Sequence, residues 1–154
     1  MAGYNVPKYN KAEGQKKWVD YSSGLYKFEV KDCAVVSSPK APMHVWTFKL
    51  TILEGPPNAE GKSSVGRGMT DKVNILLPEH PSYKKEWDDP ESDEIQMGVN
   101  DLKSRGMAYG VTAKKNQLNP ESFNGQRAYA KLKFEVSKKD GKTYSRLYDW
   151  ESAE

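Results

Sequence analysis

Residues 126–136 alternate without a break. Ala128, Ala130, Leu132, Phe134 and Val136 fall on one side, and Arg127, Tyr129, Lys131, Lys133 and Glu135 on the other. A period of two with one apolar side is the pattern of a half-buried strand. Ser137-Lys138-Lys139-Asp140-Gly141 follows, and Asp-Gly is the turn chemistry that reverses an antiparallel hairpin. The returning run places Tyr144, Arg146, Tyr148 and Trp150 on one face. With Leu147 alone inward, that face of rings and guanidinium is wet. With the three rings in the core, Arg146 becomes a rim residue, and the pattern leaves both orientations open.

Upstream, residues 1–23 read as a flexible arm that interleaves Tyr4, Tyr9, Trp18 and Tyr21 with Lys8, Lys11, Lys16 and Lys17. Rings among cations suit base stacking and phosphate attraction, although Trp18 and Tyr21 are better read as packing the arm onto the domain. A strand is predicted over 24–36, with Tyr26, Phe28 and Val30 inward. A second covers 45–53, with Trp46, Phe48, Leu50 and Ile52 inward and Lys49 outward. The Gly/Pro/Ser-rich stretch 54–70 reads as a long mobile connection that offers Lys62 and Arg67 to phosphates. It mimics a phosphate-binding loop, but five residues separate Gly55 from Gly61 where that motif has four, and no helix pattern follows. A third strand spans 72–77, with Val73, Ile75 and Leu77 inward and Lys72 outward. Residues 79–94 carry seven carboxylates against two lysines. A calcium loop counted from Asp89 fails, because its sixth position is Glu94 rather than Gly. These acids instead open a helix over 90–105, capped by Asp89 and Pro90, with Ile95, Val99 and Leu102 as its apolar face and Gly106 as its stop. Lys114 and Lys115 lie in the following loop beside Tyr109.

The chain of 154 residues is read as one domain, 24–150, between the arm and a short acidic tail at 151–154. Cys33 is the lone cysteine, which suits a reducing cytosol. No apolar run nears the roughly 20 residues of a membrane span, and residues 1–17 lack a signal peptide's apolar core. A soluble cytoplasmic protein is expected, with no membrane partner. The two histidines, His44 and His80, sit beside prolines in predicted loops, and no metal-ligand spacing or nucleophile–base pair appears. The expectation is therefore a protein that is not an enzyme and needs no cofactor.

Net charge is only +3, but residues 103–146 hold eleven Lys/Arg against three acids, a distribution suited to a polyanion. The predicted order is three strands, a helix and two strands. That is the order of the OB-fold, an all-β five-stranded Greek-key barrel with its helix between strands three and four, which binds oligonucleotides across strands two and three and the flanking loops.

The sequence also resembles phage-encoded single-stranded DNA-binding proteins with an OB-fold. The likeness rests on Gly24-Leu25-Tyr26-Lys27-Phe28-Glu29-Val30 and on Trp46-Thr47-Phe48-Lys49-Leu50-Thr51-Ile52-Leu53-Glu54-Gly55. It extends to Gly66-Arg67-Gly68 and to Phe123-Asn124-Gly125-Gln126-Arg127-Ala128-Tyr129-Ala130. The stretches 54–70 and 79–94 are expanded relative to that family, and the acidic tail lacks its terminal aromatic. The resemblance implies a protein that coats single-stranded DNA during phage replication and recombination, with replication or recombination proteins as partners. It leaves open a homo-oligomer, RNA as ligand, and an adaptor role in which the barrel binds a protein. Binding without sequence preference requires rings for bases and cations for phosphates. The candidate residues are Lys49, Arg67, Lys72, Tyr109, Lys114, Lys115, Arg127, Tyr129, Lys131, Lys133, Tyr144, Arg146 and Tyr148.

Overall fold

The computed structural model describes residues 3, 5, 7, 10 and 21–153. The predicted roles of Tyr4, Tyr9, Trp18 and the lysines at 8, 11, 16 and 17 therefore lie outside the described residues. Five antiparallel strands form one open, barrel-like sheet: β1 (Gly24–Ser37), β2 (Met43–Glu54), β3 (Gly68–Leu76), β4 (Arg127–Val136) and β5 (Thr143–Ser152). Their order is β3-β2-β1-β4-β5, so β3 and β5 are the two edges. One α-helix, α1 (Met97–Tyr109), follows β3 among the described residues, and short 3-10 turns occupy Lys85–Asp88 and Pro120–Phe123.

β1 is the shared strand. Residues 24–29 pair with β4 and residues 27–37 with β2. Facing strands carry complementary volumes: Tyr26 lies opposite Ala130 and Phe28 opposite Ala128, all four fully buried. The inward set then changes phase. Tyr26, Phe28 and Val30 are buried, but so is Cys33, because the register with β2 slips between Val30 and Asp32. An extra residue in one strand bends it and increases its twist, which curves the sheet around its core. Phe48, Tyr109 and Phe123 form that core's aromatic centre, with Phe123 edge-on to both of the others.

Tyr21 packs as predicted, its hydroxyl donating to the Gly68 carbonyl at 2.7 Å and its ring edge-on to Tyr26. The stretch 54–70 departs from the mobile connection expected of it. Asn58 Oδ1 accepts from the N–H groups of Glu60 and Lys62, and the buried Ser64 hydroxyl donates to Pro56. Local side-chain bonds of this kind substitute for a ladder.

The helix is displaced from its predicted span. Asp89 and Pro90 do not open an α-helix; Asp89 instead closes the 3-10 turn Lys85–Asp88, and residues 90–96 run as turns and coil until α1 begins at Met97. Docking decides the start. The Gln96 side chain accepts from the Leu76 N–H at 2.9 Å and donates to the Leu76 carbonyl at 3.2 Å, so it satisfies the free edge of β3 as a strand would. A Cβ on Gly98 would stand 2.0 Å from the Asn74 carbonyl oxygen. The helix runs through Gly106 and stops at Gly110, which takes the left-handed conformation at φ 75°. Of the three predicted apolar contacts, only Leu102 is buried; Ile95 and Val99 are exposed.

Arg105 fixes the helix from below. Its Nε donates to Asp71 Oδ2 at 2.6 Å, one terminal nitrogen to Asp71 Oδ1 at 3.0 Å and the other to the Asp101 carbonyl. Both charged side chains are only 9% exposed. Removing one partner of such a pair strands the other charge and costs about 3–5 kcal/mol. Urea denaturation of Asp71→Ala should show a loss of that size, with most of it recovered in Asp71→Leu/Arg105→Met. Gly98→Ala tests the docking independently. Helix propensity alone favours alanine by about 1 kcal/mol, whereas overpacking against backbone costs about 1–3 kcal/mol. The variant should therefore be less stable than the parent, and a raised melting temperature would contradict the close approach.

Candidate nucleic-acid interface

The orientation of β5 is set by its pairing. Tyr144 lies opposite Glu135, Arg146 opposite Lys133 and Tyr148 opposite Lys131, all on the outward face of β4. Leu147 lies opposite Leu132, inward. Trp150 does not share the outward face with Tyr148, contrary to the uninterrupted alternation. The register slips between Tyr129 and Lys131, and Asp149 adopts φ 52°, so one extra β5 residue opposes β4. That bulge inverts the phase and sends the Trp150 ring inward against Tyr109 and Phe28, with the Arg105 guanidinium 4.9 Å from its centre.

The thirteen predicted residues fall into separate groups. Lys133, Tyr144, Arg146 and Tyr148 share the outer face of the distal hairpin, where the Lys133 ammonium lies 4.7 Å from the Tyr148 ring centre. Lys131 continues that face. Lys49 and Lys72 are exposed on the outer faces of β2 and β3, opposite Thr70 and Thr47. Arg67 is exposed at the end of the 54–70 stretch. Lys114 and Lys115 are exposed in a tight turn whose central residues, Lys115 and Asn116, have φ 49° and 66°. These last three residues are not drawn into the hairpin cluster.

Two assignments change. Tyr109 is no stacking platform: it is 3% exposed, stacked on Phe48, and burial drives its hydroxyl pKa far upward. Its place near the end of α1 turns the ring into the core. Tyr129 is half-buried, with the Lys27 ammonium 5.5 Å from its ring and its hydroxyl donating to Glu54.

The cations are also less bare than the β4 sequence implies. Arg127 pairs with Glu29 at 2.8 Å, Lys131 with Asp149 at 3.4 Å and Lys133 with Glu135 at 3.0 Å, while Arg146 stands 3.8 Å from Glu135. Nearby cations hold the Glu135 carboxyl below its usual range, Lys133 foremost. Such exposed pairs are weak, because water screens them. A phosphate can therefore compete for the same donors.

Between the edges of β3 and β5 runs a groove of about 810 Å³. Lys72 stands on one wall and Tyr144, Arg146 and Tyr148 on the other; Arg105 and Trp150 also line it. The groove thus brings together four of the predicted residues from strands far apart in sequence. Lys138, Lys139 and Lys142, outside the predicted set, extend the cationic face to the exposed hairpin tip. Their signal was the lysine-rich turn itself, lying between two strands that were already selected.

Other chemistry is thinly represented. Among the described residues no group of three His, Cys, Asp or Glu side chains could hold a metal. His44 belongs to β2 rather than to a loop, and His80 Nδ1 accepts the Ser82 N–H. Cys33 is 3% exposed and burial, the largest influence, raises its thiol to about 12. The thiol therefore stays protonated at neutral pH, where it is a poor nucleophile. Native protein at pH 8 should react with iodoacetamide far more slowly than urea-unfolded protein. Equal rates would mean that Cys33 is accessible.

Fold and surface together define a small, mostly β domain with one helix and a basic, tyrosine-bearing hairpin. Compared with protein-family models and with curated proteins, the sequence matches none. No helix among the described residues is long and apolar enough to cross a membrane.

Proposed function

We propose that this chain is a single-stranded nucleic-acid-binding protein built on an OB-fold, similar to the phage proteins that coat single-stranded DNA in replication and recombination. Sheet order supports the fold. A central first strand flanked by the second and fourth, with the third and fifth at the edges, is the order expected of a five-stranded Greek-key barrel opened at one seam. The helix between β3 and β4 agrees with it.

One observation carries the function: Tyr144, Arg146 and Tyr148 project together from β5, beside Lys133 and across the groove from Lys72. Two-residue spacing along a strand sets like side chains about 7 Å apart, a ladder of rings and cations along an extended strand. Bases stack on the tyrosines and phosphates displace Glu135 and Asp149 from the cations. Neither contact reads a base edge, so binding is largely sequence-independent. The protein acts in this reading without catalysis or cofactor, in the cytoplasm of the phage host, and replication or recombination proteins are its further partners.

Titration with oligo-dT should quench tyrosine and tryptophan fluorescence, with affinity falling as salt rises. Duplex DNA should bind more weakly, and an RNA oligomer run alongside sets the sugar preference. Tyr148→Ala should weaken oligo-dT binding by about 5- to 150-fold, the equivalent of one lost base stack. Lys131→Glu/Lys133→Glu should weaken it further without changing the melting temperature. Equal affinity for duplex, or no binding to either, would refute the reading; unchanged affinity in both variants would move the site off the hairpin.

A further inference from the structure

A stretch of open edge lies beside β4, inside the strand order. β1 pairs with β4 only from Gly24, opposite Leu132, so residues 133–136 run past its end with β5 on one side and no described strand on the other. The chain before Gly24 turns away: the Tyr21 hydroxyl donates to the Gly68 carbonyl, and the Ser22 carbonyl accepts from the Tyr26 hydroxyl. The bonds at the two ends of β4 show which way its backbone points. The Gln126 carbonyl accepts from the Val30 N–H of β1, whereas the Ser137 N–H donates across the hairpin to Lys142. Backbone groups of successive residues in an antiparallel strand face opposite sides. Even-numbered residues of β4 therefore face β1, and odd-numbered ones face β5. Phe134 and Val136 thus aim both their N–H and their C=O groups at the open edge. Their side chains also share one face, the inner one, where the strand has run out past the core and they are 41% and 67% exposed. Opposite them on β5, Ser145 and Thr143 supply nothing apolar to cover them.

We propose that this edge pairs with the same edge of a second copy, the two β4 strands running antiparallel about a two-fold axis through Glu135. In that register Phe134 lies opposite the partner's Val136, and Val136 opposite the partner's Phe134. Each of these pairs exchanges both of its N–H···O bonds, and the two apolar side chains left bare in one copy cover those of the other. The contact uses the same surface on both copies, so it closes as a dimer. Its unfavourable element is Glu135, which meets the partner's Glu135 on the outer face. Lys133 at 3.0 Å and Arg146 at 3.8 Å stand beside each carboxylate and offset that repulsion.

Area and charge set the condition under which the pair forms. Two side chains per copy fall far short of the roughly 800 Å² per partner that a stable interface buries. Residues 133–146 also hold five Lys/Arg against two carboxylates, so two hairpins laid side by side repel. A polyanion lying across both outer faces removes that repulsion and holds the hairpins together. The pair therefore forms on nucleic acid, and the lysines of the hairpin keep the role already given to them. The two hairpins then make one four-stranded ribbon whose outer face carries Tyr144, Arg146 and Tyr148 twice. This inference rests on the nucleic-acid reading above and names the partner that completes its site.

Glu135→Cys tests the register directly. Residues opposed in a non-hydrogen-bonded antiparallel pair have Cα atoms about 4.5 Å apart, within disulfide reach, and the native Cys33 is buried. With diamide as oxidant, the variant should cross-link into a covalent dimer on oligo-dT of about 32 nucleotides, at least two sites of about 4–16 nucleotides each. Free in solution it should cross-link far more slowly. Ser137→Cys, which faces the partner's Lys133 in this register, should not cross-link on either. Val136→Pro tests the edge itself, because it removes an N–H that bonds nothing within the chain, and an open strand edge tolerates proline. On a native gel with protein limiting, the wild type should load onto the long oligomer two copies at a time, whereas Val136→Pro should give singly bound complexes first. Both should melt alike and bind an oligomer of about 8 nucleotides alike, since one site suffices for it. Val136→Pro loading in pairs like the wild type would overturn the proposal, as would cross-linking that is equally fast in Ser137→Cys or in free protein. If neither oligomer binds, the nucleic-acid reading fails and takes the bridge with it. A wild type that binds both oligomers but loads singly sinks the pairing alone.

Discussion

The Asp71–Arg105 ion pair holds together what backbone hydrogen bonds do not. β3 and β5 are sheet edges with a groove between them, so the seam needs side chains to span it. Arg105 spans it. Its fork takes both oxygens of Asp71 on β3, one terminal nitrogen holds the Asp101 carbonyl of its own helix, and its face lies against Trp150 of β5. A lysine could supply the charge but not the bidentate geometry and the ring contact together. Trp150 in turn reaches Tyr109 and Phe28, so the pair in the seam is tied to the aromatic core.

This arrangement explains which parts of the fold were legible in the chain. The alternation over 126–136 reported a strand correctly because Ala128, Ala130 and Leu132 on one side of it are buried in the core, and burial is what writes a period of two into a sequence. The same rule failed at Trp150. Its spacing from Tyr148 is regular, yet Asp149 adopts a positive φ that the alternation around it does not announce. The helix start was misplaced for a related reason. Asp89, Pro90 and the acids after them are local start signals, whereas Gln96 and Gly98 respond to the edge of β3, some twenty residues earlier. The Asp71–Arg105 pair, separated by 34 positions, left no local mark at all.

The candidate site divides along the same line. Tyr144, Arg146 and Tyr148 were visible as types and spacing, but their wet orientation depended on the β4 pairing. Tyr109 looked eligible beside Lys114 and Lys115, and was lost because the helix extends four residues beyond its predicted end and turns the ring inward. The carboxylates that shadow the β4 cations come from β1, β5 and β4 itself, and only Glu135 is visible from the β4 sequence alone. Charge counted along one strand therefore overstated how bare the cations are.

Sheet edges left open tend to recruit other strands, and this chain closes its two edges unequally. At the far end of β3, Gln96 occupies the N–H and carbonyl of Leu76, and Gly98 lets α1 lie directly on Asn74. The near end of β3, Met69 to Lys72, forms a wall of the groove. On the opposite wall the Asp149 bulge interrupts β5, and Lys72, Arg146 and Asp149 set charge along both lips. Bulges and charges at an edge oppose the docking of a further apolar strand. In the proposed reading the cations on those lips, Lys72 and Arg146, attract a polyanion with flat bases, which needs no ladder of backbone donors, whereas Asp149 repels it. Under the proposed reading, an edge whose bulge and cations discourage another β-strand still admits a single nucleic-acid strand.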